Sequence, residues 1–336
     1  MLQERTTAPH PRPLTPAPAR TVIGIDFGGT KTEIALAGPD GAVLRRRRLD
    51  TLAERGPDQI LARAAETVRA LAAEAEADLG APVAAHAAVA PGVIQPDRIL
   101  LTPNLPGWER LALADRLAGE LDVPAVAVAN DVRAGALAEL RFGALRGVDP
   151  GMYVSLGTGI AAALTVGGRV LAGARHAAGE IGYMNPGDAP ADAVALGRAP
   201  LEELVAGKGL SERALARLGV PLTATELFAG AEPAAKELAA ETLTVLARAL
   251  ANLSVFVDPA RIVLGGGMMA SAATLLPALT RLVGQATPFP PELRTARFLK
   301  DASLHGALAL ALDSLDPLGT DVAAAPFTAL RLEAIR

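Results

Sequence analysis

Two short glycine-rich segments, each set between apolar runs, constrain this chain more than any other feature. The first is Ile25-Asp26-Phe27-Gly28-Gly29-Thr30-Lys31 and the second is Ser155-Leu156-Gly157-Thr158-Gly159. Each follows a run rich in Val and Ile and precedes another apolar run, the pattern of a strand, a tight turn and a second strand. Glycine lets the backbone turn sharply and approach a ligand closely, because no side chain stands in the way. Amides left free in such a turn, with a hydroxyl or an ammonium beside them, make a seat for phosphate oxygens. Two seats more than a hundred residues apart imply one polyphosphate held between two lobes.

The 336 residues leave room for two domains of ordinary size. Alternating and continuous apolar runs predict strands at 21–27, 32–37 and 42–50, the last two joined by the turn Gly38-Pro39-Asp40-Gly41. A helix is predicted from Pro57, which suits a first helical position, to residue 79. A strand at 82–90 ends at Pro91-Gly92, a helix follows at 111–120, and a strand at 124–129 delivers Asn130-Asp131 to a helix at 132–140. A second set of strands is predicted at 153–156, 160–166 and 169–171, with one more at 261–264 before Gly265-Gly266-Gly267 and mainly helix elsewhere. Strands followed by helices, twice over, predict an α/β chain in which helices cover mixed sheets.

Composition removes several functional classes. A net charge of −4 argues against a general nucleic-acid binder. The absence of cysteine excludes disulfides, thiolate catalysis and cysteine-ligated zinc. The most apolar stretch, 243–257, contains Arg248 and Asn252 and reads as too short to cross a bilayer, so no membrane segment is expected. The first twenty residues hold five prolines and no apolar core, so they read as a disordered tail rather than a signal peptide, and a cytoplasmic location is expected. The histidines His10, His86, His176 and His305 are isolated from one another and suggest no zinc site. The Arg45–Arg48 run reads as a solvated edge strand, and no Gly-x-Ser-x-Gly elbow is present.

Two motif matches fail on context. Asp26-Phe27-Gly28 is shared with protein kinases, but no His-Arg-Asp loop or small lobe precedes it. Gly157, Gly159 and Ala162, with Glu180 downstream, match the dinucleotide fingerprint, which needs a helix after the glycines; here 160–166 runs into Gly167-Gly168, a hairpin signal. Three other segments offer polar groups. Asn130-Asp131 at a strand-to-helix junction suits a helix cap; a carboxylate there, facing a crevice, also suits a base that takes a proton from a substrate hydroxyl, which phosphoryl transfer requires. Within 102–108, Asn104 offers a donor and an acceptor and Trp108 a filler for a gap. Glu180 and Tyr183, three residues apart, can converge on one polar ligand.

In this order and spacing the segments resemble the ROK family (repressors, uncharacterised frames and sugar kinases), part of the actin, hexokinase and heat-shock ATPase superfamily. The resemblance covers 21–312 and rests on residues 24–31, 103–108, 130–131, 156–160, 178–182, 263–267 and 304–307. It implies a two-lobed actin-like (ribonuclease H-like) fold with a lobe at 21–129, a second at 130–303, and a helix near 304–315 packed back on the first. It further implies ATP and Mg2+ in the cleft. Asp131 would be the base that deprotonates a hexose hydroxyl, usually the 6-hydroxyl, and Asn104, Asn130 and Glu180 would bind the sugar. Gly28, Gly29, Thr30 and Lys31, with Gly157, Thr158 and Gly159, would hold phosphates. Gly265, Gly266 and Gly267 would lie against the adenosine, and Asp26 would position Mg2+ through water.

The chain also departs from the family. Many members have histidine where Tyr183 stands, followed by a cysteine-rich zinc loop. Here 194–202 has no cysteine and one residue fewer, so no zinc is expected, while Glu202 keeps the family's sugar-contacting carboxylate. Tyr183 changes one sugar contact, and Ala161-Ala162 replaces glycines common after the second phosphate turn. The expected activity is that of an ATP-dependent hexose kinase, glucokinase-like, acting on a hexose or hexosamine as a homodimer or homotetramer without a nucleic-acid or membrane partner. The alternatives are a non-catalytic sugar-binding pseudo-kinase and a sugar-sensing regulator; only twenty residues precede the first strand, too few for a helix-turn-helix domain.

Overall fold

The structure, a computed structural model, describes residues 20–315 apart from Asp188, so the tail expected over 1–20 lies outside the described residues except for Arg20. The chain begins with β1 (Thr21–Phe27), β2 (Lys31–Ala37) and β3 (Val43–Asp50). Then come α1 (Gly56–Leu79), β4 (Val83–Ala90), the small hairpin β5 (Val93–Ile94) and β6 (Ile99–Leu100), α2 (Leu113–Leu121) and β7 (Ala127–Asn130). These strands, the hairpin apart, form one sheet in the order β3-β2-β1-β4-β7, antiparallel between β3, β2 and β1 and parallel from β1 to β7. β1 is a near-continuous apolar run because the sheet covers both its edges and protein covers both its faces. β3, with Arg45–Arg48, is the exposed edge, as its charge predicts. Its Arg47 pairs with Glu74 at 2.8 Å and its Arg46 with Glu33 at 2.9 Å.

The second half repeats the plan. After α3 (Asp131–Phe142) come β8 (Gly151–Leu156), β9 (Ile160–Val166) and β10 (Arg169–Val170). The helices α4 (Pro200–Val205), α5 (Gly207–Leu218), α6 (Ala224–Ala229) and α7 (Pro233–Val257) follow. The described chain ends with β11 (Arg261–Gly265), α8 (Ala272–Ala286), β12 (Glu292–Thr295) and α9 (Ala302–Asp313). The sheet order β10-β9-β8-β11-β12 has the same antiparallel-then-parallel arrangement as the first. The glycines after β8 lead into an antiparallel strand and not a helix, which removes the dinucleotide-fold match.

The apolar stretch 243–257 corrects an expectation. It belongs to α7, whose 25 residues are by length and composition sufficient to cross a bilayer. Inside the fold, 39% of its most apolar window is buried, and the helix packs on α8 and on α4 to α6 over the second sheet. Its apolar character is that of a core helix.

Between the two sheets lie α3 and α9, packed against each other. α9 covers β1, β4 and β2, whereas α3 covers β8 and β9. Small residues make that close packing possible: a side chain at Gly306 would strike the backbone of Ala134, and one at Gly24 would strike α9 at Ala307 and Leu308. One buried cluster, with Val22, Ala35, Ala87, Ala134, Tyr153, Val263 and Ala307, therefore joins both halves through these helices.

Candidate active site

Each glycine turn is a tight hairpin held by local hydrogen bonds. In the first, the Gly28 N–H donates to the Lys31 carbonyl at 2.9 Å, and the Thr51 hydroxyl donates to the Gly28 carbonyl at 2.6 Å. A side chain at Gly29 would collide with Asn104, so glycine is what lets the 102–107 loop close over the turn. In the second, the Gly157 N–H donates to the Gly159 carbonyl at 2.9 Å. The start of α5 clamps this turn: Gly207 N–H reaches the Gly157 carbonyl at 2.9 Å and Lys208 N–H the Thr158 carbonyl at 3.2 Å. The Glu202 carboxylate accepts the Ile160 N–H at 3.1 Å from beneath it.

Both turns wall one cavity of about 650 Å3. Asp26, Gly28, Gly29 and Lys31 line it from the β1–β2 side, and Gly157, Thr158 and Gly159 from the β8–β9 side. Asn104, Asn130, Asp131, Glu180, Glu202, Gly266 and Gly267 complete the wall among the residues expected from sequence. Thr30, Gly265 and Tyr183 stand outside it. Thr30 is exposed, with its carbonyl accepting the Thr51 N–H at 2.9 Å. Gly265 is buried against the Tyr153 ring. Tyr183 follows Glu180 in a 3-10 turn, and burial, then the charges of Glu180 and Glu202, push its phenol above the usual range.

Sequence reasoning missed Lys208, Lys300, Ser303 and Pro91-Gly92, which also line the cavity. Lys208 sits one residue into α5, where the clamp on the glycine turn is a detectable signal only once the fold is known; Lys300 and Ser303 carry no motif. A second cavity, about 320 Å3 and mostly apolar, lies between β7, α3 and the end of α9. Neither Asp131 nor the turns at Gly28-Gly29 and Gly157–Gly159 line it, so it holds none of this chemistry.

Asn130 and Asp131 serve as cap and as site residues at once. Asn130 ends β7 and its Oδ1 accepts the Arg133 N–H at 2.8 Å, the N-cap bond of α3. Asp131 is the first helical residue; its Oδ1 accepts the Val132 N–H at 2.9 Å and its side chain faces the cavity. The Asp131 carboxyl is raised to about 6, by burial above all and by Glu180 nearby, against the Val132 N–H and Arg133, which lower it. Asp26 also rises to about 6, through burial above all; Ser303, donating at 2.5 Å, lowers it, while Asp131 and Glu33 raise it. Burial likewise raises Glu180, offset by Arg133. The Lys31 ammonium rests 2.9 Å from Glu33.

The charge of Asp131 raises Asp26 across the cavity, and crowded carboxylates of this kind invite a cation. Among the described residues no group of three or more His, Cys, Asp or Glu could hold a metal ion on its own. Mg2+ needs no such cage: one or two carboxylates, water and substrate phosphates suffice. Asp26, with Asp131 opposite, fits that mode. The arrangement therefore brings together two buried carboxyl groups with raised pKa values, two glycine turns and three lysines, Lys31, Lys208 and Lys300.

Comparison with known proteins agrees with this geometry. The ROK family model matches residues 22–314. An N-acetylmannosamine kinase of Escherichia coli O157:H7 is 31% identical over 301 residues, covering 87% of this chain and 98% of that protein. The crystal structure of a ROK hexokinase from Thermus thermophilus superposes with a TM-score of 0.74 at 31% identity, covering 88% of this chain and 99% of that one. A ROK family glucokinase from Streptomyces griseus, solved with glucose and AMPPNP, shares the fold with a TM-score of 0.67 at 24% identity, covering 87% of this chain and 99% of that one. With two mixed sheets, two central helices and a match from β1 to α9, the chain has the actin-like fold and belongs to the ROK family.

Proposed function

We propose that this ROK sugar kinase transfers the γ-phosphoryl group of ATP to the 6-hydroxyl of a hexose or hexosamine, with N-acetylmannosamine the first acceptor and glucose the second. The identity to N-acetylmannosamine kinases over nearly their whole length supports the first. Equal identity to the Thermus hexokinase supports the second. The reading takes 21–129 and 130–303 as the two lobes, a cytoplasmic location, and no zinc, since 194–202 contains no thiolate. The single observation that carries it is Asp131, held at the start of α3 in the same cavity as both glycine turns.

In this mechanism Asp131 accepts the proton of the acceptor hydroxyl as its oxygen bonds to the γ-phosphorus, and the bond from that phosphorus to the β,γ-bridging oxygen breaks. The proton passes to Asp131 and ADP leaves with the bridging oxygen. Free amides at the two glycine turns, with Lys208 and Lys300, offset phosphate charge. Asp26 would hold Mg2+, which when bound would neutralise charge on the transferred group. Asn104, Asn130 and Glu180 bind sugar hydroxyls, and Glu202 steadies the second turn through Ile160.

An ADP-release assay across N-acetylmannosamine, glucose, mannose, fructose and N-acetylglucosamine tests the reading. Turnover with one or more sugars, abolished by Asp131→Asn, supports it. Silence across all five, with sugar binding retained in calorimetry, favours a non-catalytic binder.

A further inference from the structure

Arg133 is a buried cation that the mechanism does not use. It is 7% exposed, two residues past Asp131 on α3, and its side chain leaves the helix in the direction of the loop before Glu180. Its Nε donates to Asn130 Oδ1 at 3.1 Å. Its Nη1 donates to the Ala172 carbonyl at 3.2 Å and to the His176 carbonyl at 2.9 Å. His176 is a non-glycine residue at φ 57°, a left-handed conformation that an L-residue adopts only when its surroundings hold it there.

These bonds fix two things that face the cavity. Asn130 Oδ1 takes both the backbone N–H and the guanidinium of Arg133, so the amide oxygen is on that side by necessity and its NH2 is left for the cavity. Asn130 can then only donate to a sugar oxygen. The two carbonyl contacts tie 172–176 to α3, and that loop leads directly into Glu180. A guanidinium suits this task because its planar fork serves several acceptors at once, which an ammonium does not.

We propose that Arg133 is a positioning residue for the sugar half of the site, orienting the Asn130 amide and the Glu180 strap together. The inference rests on the sugar-kinase reading above and says nothing about which sugar is bound. It makes a separation: the phosphate seats at Gly28–Lys31 and Gly157–Gly159 make none of the Arg133 bonds described, so nucleotide binding does not depend on it.

The test is steady-state kinetics of the full chain, Arg133→Gln and Arg133→Lys, with ATP and with the best wild-type sugar each varied in turn. Arg133→Gln raises the sugar KM about tenfold, the cost of one charged hydrogen bond, and leaves the ATP KM unchanged. Arg133→Lys keeps the charge but not the fork, so its sugar KM stays raised as well. Because Arg133 borders the 320 Å3 cavity, Arg133→Ala leaves space for a small cation, and millimolar guanidinium restores the sugar KM of that variant while ammonium does not. A role in stability alone lowers the amount of active enzyme and kcat while both KM values hold; that result, or equal rises in both KM values, overturns the proposal. The wild-type chain in the same assay tests the kinase reading separately, and a wild type that phosphorylates no sugar overturns both.

Discussion

Asp131→Asn separates what the base does for catalysis from what it costs the fold. In the folded chain the Asp131 carboxyl rises from 3.8 to about 6, chiefly by burial. A carboxyl that binds its proton more tightly when folded makes the protein less stable as pH rises through that window, and the penalty is complete above about pH 6. Two pH units correspond to about 3 kcal/mol. Asp131 is only partly covered, and water in the open cleft screens its charge, so about 1–2 kcal/mol is the realistic share. Asparagine removes the charge and keeps an oxygen to accept the Val132 N–H. It also gives up a favourable charge at the helix N-terminus, worth about 0.3–1 kcal/mol. The expected outcome at pH 8 is a variant whose melting temperature lies about 2–4 °C above that of the wild type, a gap that closes as pH falls toward about 4. The same substitution cuts sugar phosphorylation by about 10²- to 10⁴-fold. Thermal melts of the ligand-free protein between pH 4.5 and 8, beside the ADP-release assay, check both. A variant less stable than wild type at pH 8, or a gap that does not change with pH, refutes the reasoning.

Other substitutions probe the surrounding frame. In the wild type, kcat/KM for the sugar drops about tenfold per pH unit below about pH 6, as Asp131 protonates, in a pH–rate profile. Gly179→Ala places a methyl on the Ala162 carbonyl at a backbone φ of +94°, so urea unfolding shows a loss of at least about 2 kcal/mol. Glu202→Ala leaves the Ile160 N–H without its acceptor and raises the ATP KM, whereas Glu202→Gln keeps an oxygen there and retains more of the ATP affinity. Lys208→Ala, at an exposed ammonium beside the second turn, raises the ATP KM about tenfold with an unchanged melting temperature.

The sequence by itself determined the hairpins, the repeated sheet plan and the place of Asn130-Asp131 at a strand-to-helix junction. These rest on local physics: apolar alternation fixes strands, glycine pairs fix turns, and a polar pair at the end of β7 starts a helix. The strand limits at β1 and β9 match the sequence prediction, and β7 and α3 differ from it by a few residues at their ends, where caps and not apolar pattern decide. Tertiary structure alone decided which side chains meet. Lys208, Lys300 and Ser303 reach the cleft from segments that carry no motif, while Thr30, Gly265 and Tyr183 sit beside the expected motifs yet outside the cavity wall. It also turned α7 from an apolar segment into a core helix and set Glu202 beneath a glycine turn. Such convergence depends on how two sheets pack through α3 and α9, and no local pattern encodes distances between residues far apart in the chain.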